Sequence, residues 1–243
     1  WKECKINFID TPGYLDYEGE AQCGIAVGDN ALIVVGAKDG VESGTEKAWK
    51  IVTRKKLPTI FFINKIDEEN ASFDQTYNQL REHFGKTVIP FEVPITSAGK
   101  VVGSVNILRK KAWYYDDRTT PKEVPDELKE IVEEYYNQIA EAIAMADDEL
   151  MEKFFNDEEL TEEEIYDGLQ VGIANHSIAP VMCGSATLGY GVKLLMNTIV
   201  RFTLPAIEAK ANFHAFHDGK EVVYCSSDDE RFSAYVFKTI ADP

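Results

Sequence analysis

The sequence predicts an α/β fold, a doubly wound parallel sheet interrupted by an inserted α+β subdomain. Three observations carry this. Four short apolar runs, Ile6–Ile9, Ala31–Val35, Thr59–Ile63 and Pro180–Cys183, are continuous and each leads into a turn or helix. Such runs fit strands buried on both faces of a parallel sheet. Amphipathic helical segments follow the later runs, and between about Val88 and Asn175 the rhythm breaks.

Taken in order, Ile6–Ile9 is read as the first strand, ending at Asp10, and Ala31–Val35 as the second. A helix follows, in which Ser43 and Glu46 read as a capping box and Ala48, Trp49 and Val52 form the apolar face. Arg54-Lys55-Lys56 crowd its C-terminal end, where the helix dipole favours cations. Thr59–Ile63 is the third strand. The insertion opens with strand-like Phe91–Ile95 and Val101–Leu108. It continues as one amphipathic helix from about Asp126, after Pro125, to Phe155. Another helix begins at Thr161, where Thr161 and Glu164 form a capping box. Pro180–Cys183 returns to the sheet, and Val192–Phe202 is a helix striped by Leu194, Leu195, Ile199 and Phe202. From Phe213 the pattern changes, and Phe232–Thr239 alternates like a strand of an all-β domain. The expected divisions are 1–87 and 176–211 for the two parts of the main domain, 88–175 for the insertion, and 212–243 for the start of a β domain.

The composition, with 44% hydrophobic and 28% charged residues, is that of a water-soluble globular protein. No apolar run approaches the ~20 residues that span a bilayer, so no membrane association is expected. Trp1-Lys2-Glu3-Cys4 lacks a signal-peptide pattern. Cys4, Cys23, Cys183 and Cys225 have neither metal-type nor paired spacing and read as reduced thiols of a cytoplasmic protein. A net charge of −17 argues against a broad nucleic-acid-binding surface. Much of it lies in Asp126–Asp167, which holds 17 acidic and 2 basic residues. That stretch reads as solvated helix faces or as a docking surface for a basic partner.

Three motifs carry chemistry, each at a predicted strand end, where α/β sheets bind ligands. The first is Asp10-Thr11-Pro12-Gly13. Its carboxylate can reach a Mg²⁺ ion, directly or through water, and its glycine lets a backbone N–H approach a terminal phosphate. The second is Asn64-Lys65-Ile66-Asp67. An aspartate can accept from both N1–H and the exocyclic amine of guanine, a donor pair that adenine lacks. The Lys65 stem can lie over the base, and Asn64 can tie loops together or reach N7. The third is Cys183-Gly184-Ser185-Ala186, whose backbone N–H groups can donate to guanine O6. Each is also an ordinary turn sequence in isolation; their order and placement give them weight together.

These residues resemble the elongation factor G family of translational GTPases, which have a P-loop-NTPase-type sheet. Asp10-Thr11-Pro12-Gly13 looks like the family's phosphate and Mg²⁺ switch, Asn64, Lys65 and Asp67 its guanine-specificity motif, and Ser185-Ala186 its last base-contacting loop. Asp148–Phe154 and Glu159–Ile165 resemble parts of its G′ subdomain, and Asp229–Lys238 its entry into a β-barrel second domain. The resemblance implies GTP or GDP with Mg²⁺ as ligands. It also implies hydrolysis coupled to translocation on the ribosome, a monomeric state, and contact between the insertion and the ribosomal stalk protein. Contacts to ribosomal RNA would come mainly from parts of the parent protein not in this chain.

Two departures matter. The sequence contains no Gly-x-x-x-x-Gly-Lys-Ser/Thr motif, the loop that cradles the α- and β-phosphates. The chain is therefore read as a fragment beginning within a nucleotide-binding domain, with little binding or hydrolysis of its own. The family usually has histidine after the switch glycine, whereas here Gly13 is followed by Tyr14. A phenol, with a pKa near ~10, stays neutral and can orient water without acting as a general base. Tyr14 points to an elongation factor G-like paralogue. It also keeps open a GTP-gated ribosome-binding or ribosome-protection factor whose hydrolysis is slow or unused. A kinase or ATPase is the third and weakest reading, because Asp67 points to guanine.

Other residues carry less. His83, His176, His214 and His217 have no acid or cysteine cluster to suggest a metal site. Tyr114-Tyr115 and Tyr135-Tyr136 read as core or surface aromatics. Glu133, Glu134 and Glu141 are the candidate stalk-facing acids.

Overall fold

Strands β1 (Ala31–Gly36), β2 (Thr59–Asn64) and β3 (Val88–Pro90) are followed in chain order by β4 (Glu92–Ser97), β5 (Lys100–Asn106) and β6 (Lys111–Tyr114), then by β7 (Ala179–Cys183), β8 (Asn212–His217) and β9 (Lys220–Cys225). The helices are α1 (Glu18–Val27), α2 (Ser43–Arg54), α3 (Phe73–Phe84), α4 (Asp126–Ala144), α5 (Asp148–Phe155), α6 (Glu162–Ala174), α7 (Val192–Phe202) and α8 (Ala206–Ala209). This computed structural model describes residues 1–243 except 118, 146, 147, 157, 159, 210, 211, 226–233 and 241–243.

The main sheet is parallel, in the order β1-β2-β7-β3. The continuous apolar runs are explained by two cores. Phe61, Ile63 and Val181 face one cluster, with Trp49 of α2 and Phe84 of α3 packed on Phe61. Ile60, Phe62 and Met182 face the other, with Leu195 of α7. Alternate residues of β2 thus serve opposite faces, the period of a strand. Val88–Pro90 joins this sheet by pairing with β7 (Val88↔Ala179, Pro90↔Val181). Its edge position accommodates Pro90, which has no N–H to donate.

The insertion is a three-stranded antiparallel sheet, β4-β5-β6, with helices α4 to α6. Ser97 pairs with Lys100 across Ala98-Gly99, both at positive φ, as a two-residue type I′ hairpin requires. Helix α4 buries Val132, Tyr135, Ile139 and Ile143, and α6 buries Ile165, Leu169 and Ile173. These side chains belong to the same cluster as Phe61, so insertion and main sheet share one core. A cavity of about 370 Å³ remains on their seam, lined by Ile66, Phe73, Val93 and Leu128 among others.

Five expectations need correction. Ile6–Ile9 is not a strand: no ladder partner lies beside it among the described residues, and Phe8 is 62% exposed. Apolarity alone does not form a strand when its N–H and C=O groups lack a neighbour. Asp126–Phe155 is two helices, α4 ending at the Met145 cap and α5 beginning at Asp148. The cap of α2 is Glu42, whose side chain accepts from the Thr45 N–H while Thr45 Oγ1 accepts from the Glu42 N–H. Glu46 instead meets His83 Nδ1 at 2.9 Å. The insertion strands lie at Glu92–Ser97 and Lys100–Asn106, with Lys111–Tyr114 as an unforeseen third. In Phe232–Thr239, residues 232 and 233 fall outside the described set and 234–239 form no strand; the β pairing near the end is the hairpin β8–β9. The Thr161–Glu164 capping box is present, with both reciprocal bonds.

Candidate functional site

Strands β2 and β7 are parallel neighbours, with Ile63 opposite Cys183. Their following loops therefore leave the same sheet edge side by side. Three hydrogen bonds join them. Gly184 N–H donates to Ile63 O at 2.9 Å, Ile66 N–H to Gly184 O at 3.3 Å, and Ala186 N–H to Asn64 Oδ1 at 2.9 Å. The Asn64 side chain thus ties the loops together.

Lys65 is in the left-handed region at φ 62° and is exposed, with Glu68 Oε1 3.7 Å from its ammonium. An exposed pair of this kind is weak, so the lysine stem is available to cover a flat ligand. Asp67 is also exposed, and among the described residues no hydrogen bond or ion pair engages its carboxylate.

The second loop is closed on itself. Ser185 and Tyr190 exchange backbone bonds of 3.0 and 2.9 Å, and Ser185 Oγ accepts from Leu188 N–H. Ser185 is only 1% exposed, so its hydroxyl shapes the loop from inside. Gly191 caps α7 at φ 72°, where a Cβ would meet Cys183 O at 2.1 Å; only glycine fits that return.

Asp10-Thr11-Pro12-Gly13 lies outside helix and strand, with Asp10, Pro12 and Gly13 exposed and Thr11 half-buried. Thr11 and Ile9 lie over Gly24 of α1, where a Cβ would come within 2.6 and 3.2 Å of their methyl groups. Gly13 O lies 3.4 Å from the Cβ position of Gly44, in the first turn of α2. Since α2 starts above the C-terminal end of β1, this segment sits at the same sheet edge as the two loops. Asp10 is exposed, and no protein group engages its carboxylate among the described residues. Tyr14 is 81% exposed, and its carbonyl accepts the Tyr17 N–H that starts the short helical turn before α1.

Residues 1–205 match the family model described as the elongation factor Tu GTP binding domain. The chain belongs to that family of translational GTPases. It is also similar to a protein of known crystal structure from Thermus thermophilus, at 31% identity and a TM-score of 0.74. That similarity covers 80% of this chain and 29% of the other, so the chain spans less than a third of that protein's length.

For a GTP-binding domain, the fit to guanine can be tested on the geometry. An unengaged carboxylate and a solvent-facing lysine stand beside a loop fixed by Asn64, which suits a flat base with a donor edge. Ala186 N–H is already given to Asn64, so a donor to O6 must come from elsewhere in the loop. Among the described residues no group of three His, Cys, Asp or Glu could hold a metal ion. A Mg²⁺ ion here would rest on Asp10 and on oxygens of the nucleotide and water. No described helix is long and apolar enough to cross a membrane.

Sequence reasoning singled out neither Glu92 nor Ser104 and read Tyr115 as a core or surface aromatic; Glu92 meets Cys183 and Tyr115 stacks on Tyr190, at the two ends of the Cys183–Tyr190 loop. In Phe91–Ile95 the alternation puts Glu92 on the face opposite Phe91 and Val93, which reads as solvent. The structure covers that face with β7 and buries the carboxyl group. Burial raises its pKa to about 8, with the Ser104 hydroxyl and the Cys183 N–H working the other way.

Proposed function

We propose that this chain is the guanine-nucleotide-binding portion of an elongation factor G-like translational GTPase that binds the ribosome and couples GTP hydrolysis to translocation. One observation carries the guanine assignment: Asn64 bonded to Ala186, with the unengaged Asp67 carboxylate beside them. In this reading Asp67 accepts from N1–H and the exocyclic amine, Lys65 covers the base plane, and the loop at Ser185-Ala186 borders the O6 side. Asp10 holds Mg²⁺ through water, Gly13 offers its N–H to the terminal phosphate, and Thr11 and Pro12 shape that turn. Tyr14 orients the attacking water. When bound, Mg²⁺ supplies positive charge to the phosphate oxygens.

The chain has no Gly-x-x-x-x-Gly-Lys-Ser/Thr sequence, so its own residues offer no cradle for the α- and β-phosphates. Alone it binds GTP weakly and hydrolyses it negligibly. Titration with a fluorescent GDP analogue checks this, and tight binding by the chain alone would overturn it. In the intact protein, Asp67→Ala is expected to lower GDP affinity about a hundredfold or more, the loss of two charge-assisted hydrogen bonds. GTP competing no better than ATP in the intact protein would remove the guanine assignment.

The acidic face of α4 is the docking surface proposed for the stalk protein. Glu133 holds Lys110 at 2.7 Å and Glu134 accepts from Gln138. Charge reversal at Glu133, Glu134 and Glu141 is expected to weaken stalk binding; unchanged binding counts against this surface. Tyr14 supports a second reading, a GTP-gated ribosome-binding or ribosome-protection factor, because a neutral phenol is a weaker catalytic group than an imidazole. Ribosome-stimulated hydrolysis compared with translocation rate separates the two.

A further inference from the structure

Two buried polar groups and a half-buried aromatic ring from the insertion lie directly beneath the guanine-reading loop. Glu92 of β4 is 1% exposed, and its Oε1 accepts from Ser104 Oγ of β5 at 2.9 Å. Its Oε2 is buried without a hydrogen-bond partner. The carboxyl group faces Cys183, the buried residue that opens the loop. Beyond β6, Tyr115 lies flat on Tyr190, with ring centroids 3.8 Å apart and 17° between planes. Tyr190 closes the loop through its two backbone bonds to Ser185. The insertion therefore grips both ends of the loop, one through a polar contact and one through an aromatic stack.

We propose that Glu92, Ser104 and Tyr115 are positioning residues for guanine recognition, holding the Cys183–Tyr190 loop in place through Cys183 and Tyr190. This rests on the reading of that loop as part of the guanine site. It gives the insertion a role inside the nucleotide site, in addition to any role as an outward-facing surface.

The grip depends on a neutral carboxyl group. Burial, opposed by the Ser104 hydroxyl and the Cys183 N–H, raises Glu92 to about 8. The titratable groups around it are the Cys183 thiol and the Tyr115 hydroxyl, both raised chiefly by burial and further by Glu92, and Asp74 of α3, which acts on Cys183. Ionisation of Glu92 sets a charge in a dry site against Cys183. The loop must then shift to admit water, because an unpaired buried charge is costly. Guanine affinity weakens as Glu92 ionises.

The test is titration of a fluorescent GDP analogue into the intact protein between about pH 6.5 and 9, for wild type, Glu92→Gln, Ser104→Ala and Asp67→Ala. Glutamine keeps the shape and cannot ionise. Over this range wild type is expected to lose about fivefold more affinity than Glu92→Gln, a modest coupling between sites. The nucleotide's own N1–H titrates alike in both, so the difference isolates Glu92. Ser104→Ala removes a group that favours the charged form and moves the loss to higher pH. Parallel profiles for wild type and Glu92→Gln overturn the proposal. If Glu92→Gln does not fold, an unmoved profile in Ser104→Ala overturns it instead. Asp67→Ala binding as wild type does would sink the guanine site itself. Asp67→Ala losing GDP while the other profiles stay parallel sinks only the positioning role.

Discussion

Asn64 Oδ1 accepts the Ala186 backbone N–H at 2.9 Å across 122 residues of sequence. One side chain thus joins two loops that the intervening insertion separates along the chain. Asn64→Ala leaves both loops formed and joined only by the two backbone bonds of Gly184. Loss of one such bond is expected to cost about 1 kcal/mol, which speeds GDP release from the intact protein about fivefold to tenfold. Stopped-flow release of a fluorescent GDP analogue measures it, and an unchanged rate shows that the tie does not matter to the nucleotide.

Tyr14, which follows Gly13, is 81% accessible. If its hydroxyl orients the attacking water, Tyr14→Phe lowers ribosome-stimulated hydrolysis by about tenfold or more while GDP affinity stays the same. Equal rates for the two proteins remove that role.

Thr161 caps α6, its Oγ1 accepting the Glu164 N–H at 3.2 Å. Glu164 returns a bond to the Thr161 N–H, and its pKa is lowered to about 2 by Lys153 first and then by that N–H. Thr161→Ala is expected to destabilise the insertion by about 1 kcal/mol, read as a lower thermal midpoint, with Thr161→Ser close to wild type.

Glu92 also makes stability depend on pH, with a definite sign. Its folded pKa, about 8, lies above the ordinary value of 4.5, so between those limits the folded state binds more protons than the unfolded state. Stability then falls as pH rises through that window and levels off above it. The melting temperature of wild type should drop relative to Glu92→Gln by at least about 3 °C between the two ends of the window. A constant difference between the two proteins would show that Glu92 is not held neutral.

What the sequence made legible was local. The Thr161–Glu164 box depends on residues three apart, and the strands Thr59–Ile63 and Pro180–Cys183 carry their burial in continuous apolar runs, whereas Ala31–Val35, at the end of the sheet, leaves Val34 55% exposed. The placement of the Asn64 and Ser185-Ala186 loops followed from those strands being neighbours. What was hidden depended on distant partners. Ser43 and Glu46 have the right spacing for a cap, but Glu42 and Thr45 have it too, and His83, 37 residues away, takes up Glu46. Ile6–Ile9 is as apolar as a strand, yet strand formation needs a neighbour's backbone. Val88–Pro90 is too short to announce itself and is a strand because β7 is there to pair with it. Glu92 alternates as if toward water, and only the packing of β4 against β7 removes the water from it.

β2 lies between β1 and β7, and its two faces are sealed by two separate cores. Amides in such a strand exchange with solvent only when the whole domain opens. The Asn64–Asp67 loop hangs from that strand. Outer segments can therefore fray while the origin of the loop proposed to read the base stays fixed. The geometry proposed for recognition is then as long-lived as the fold itself.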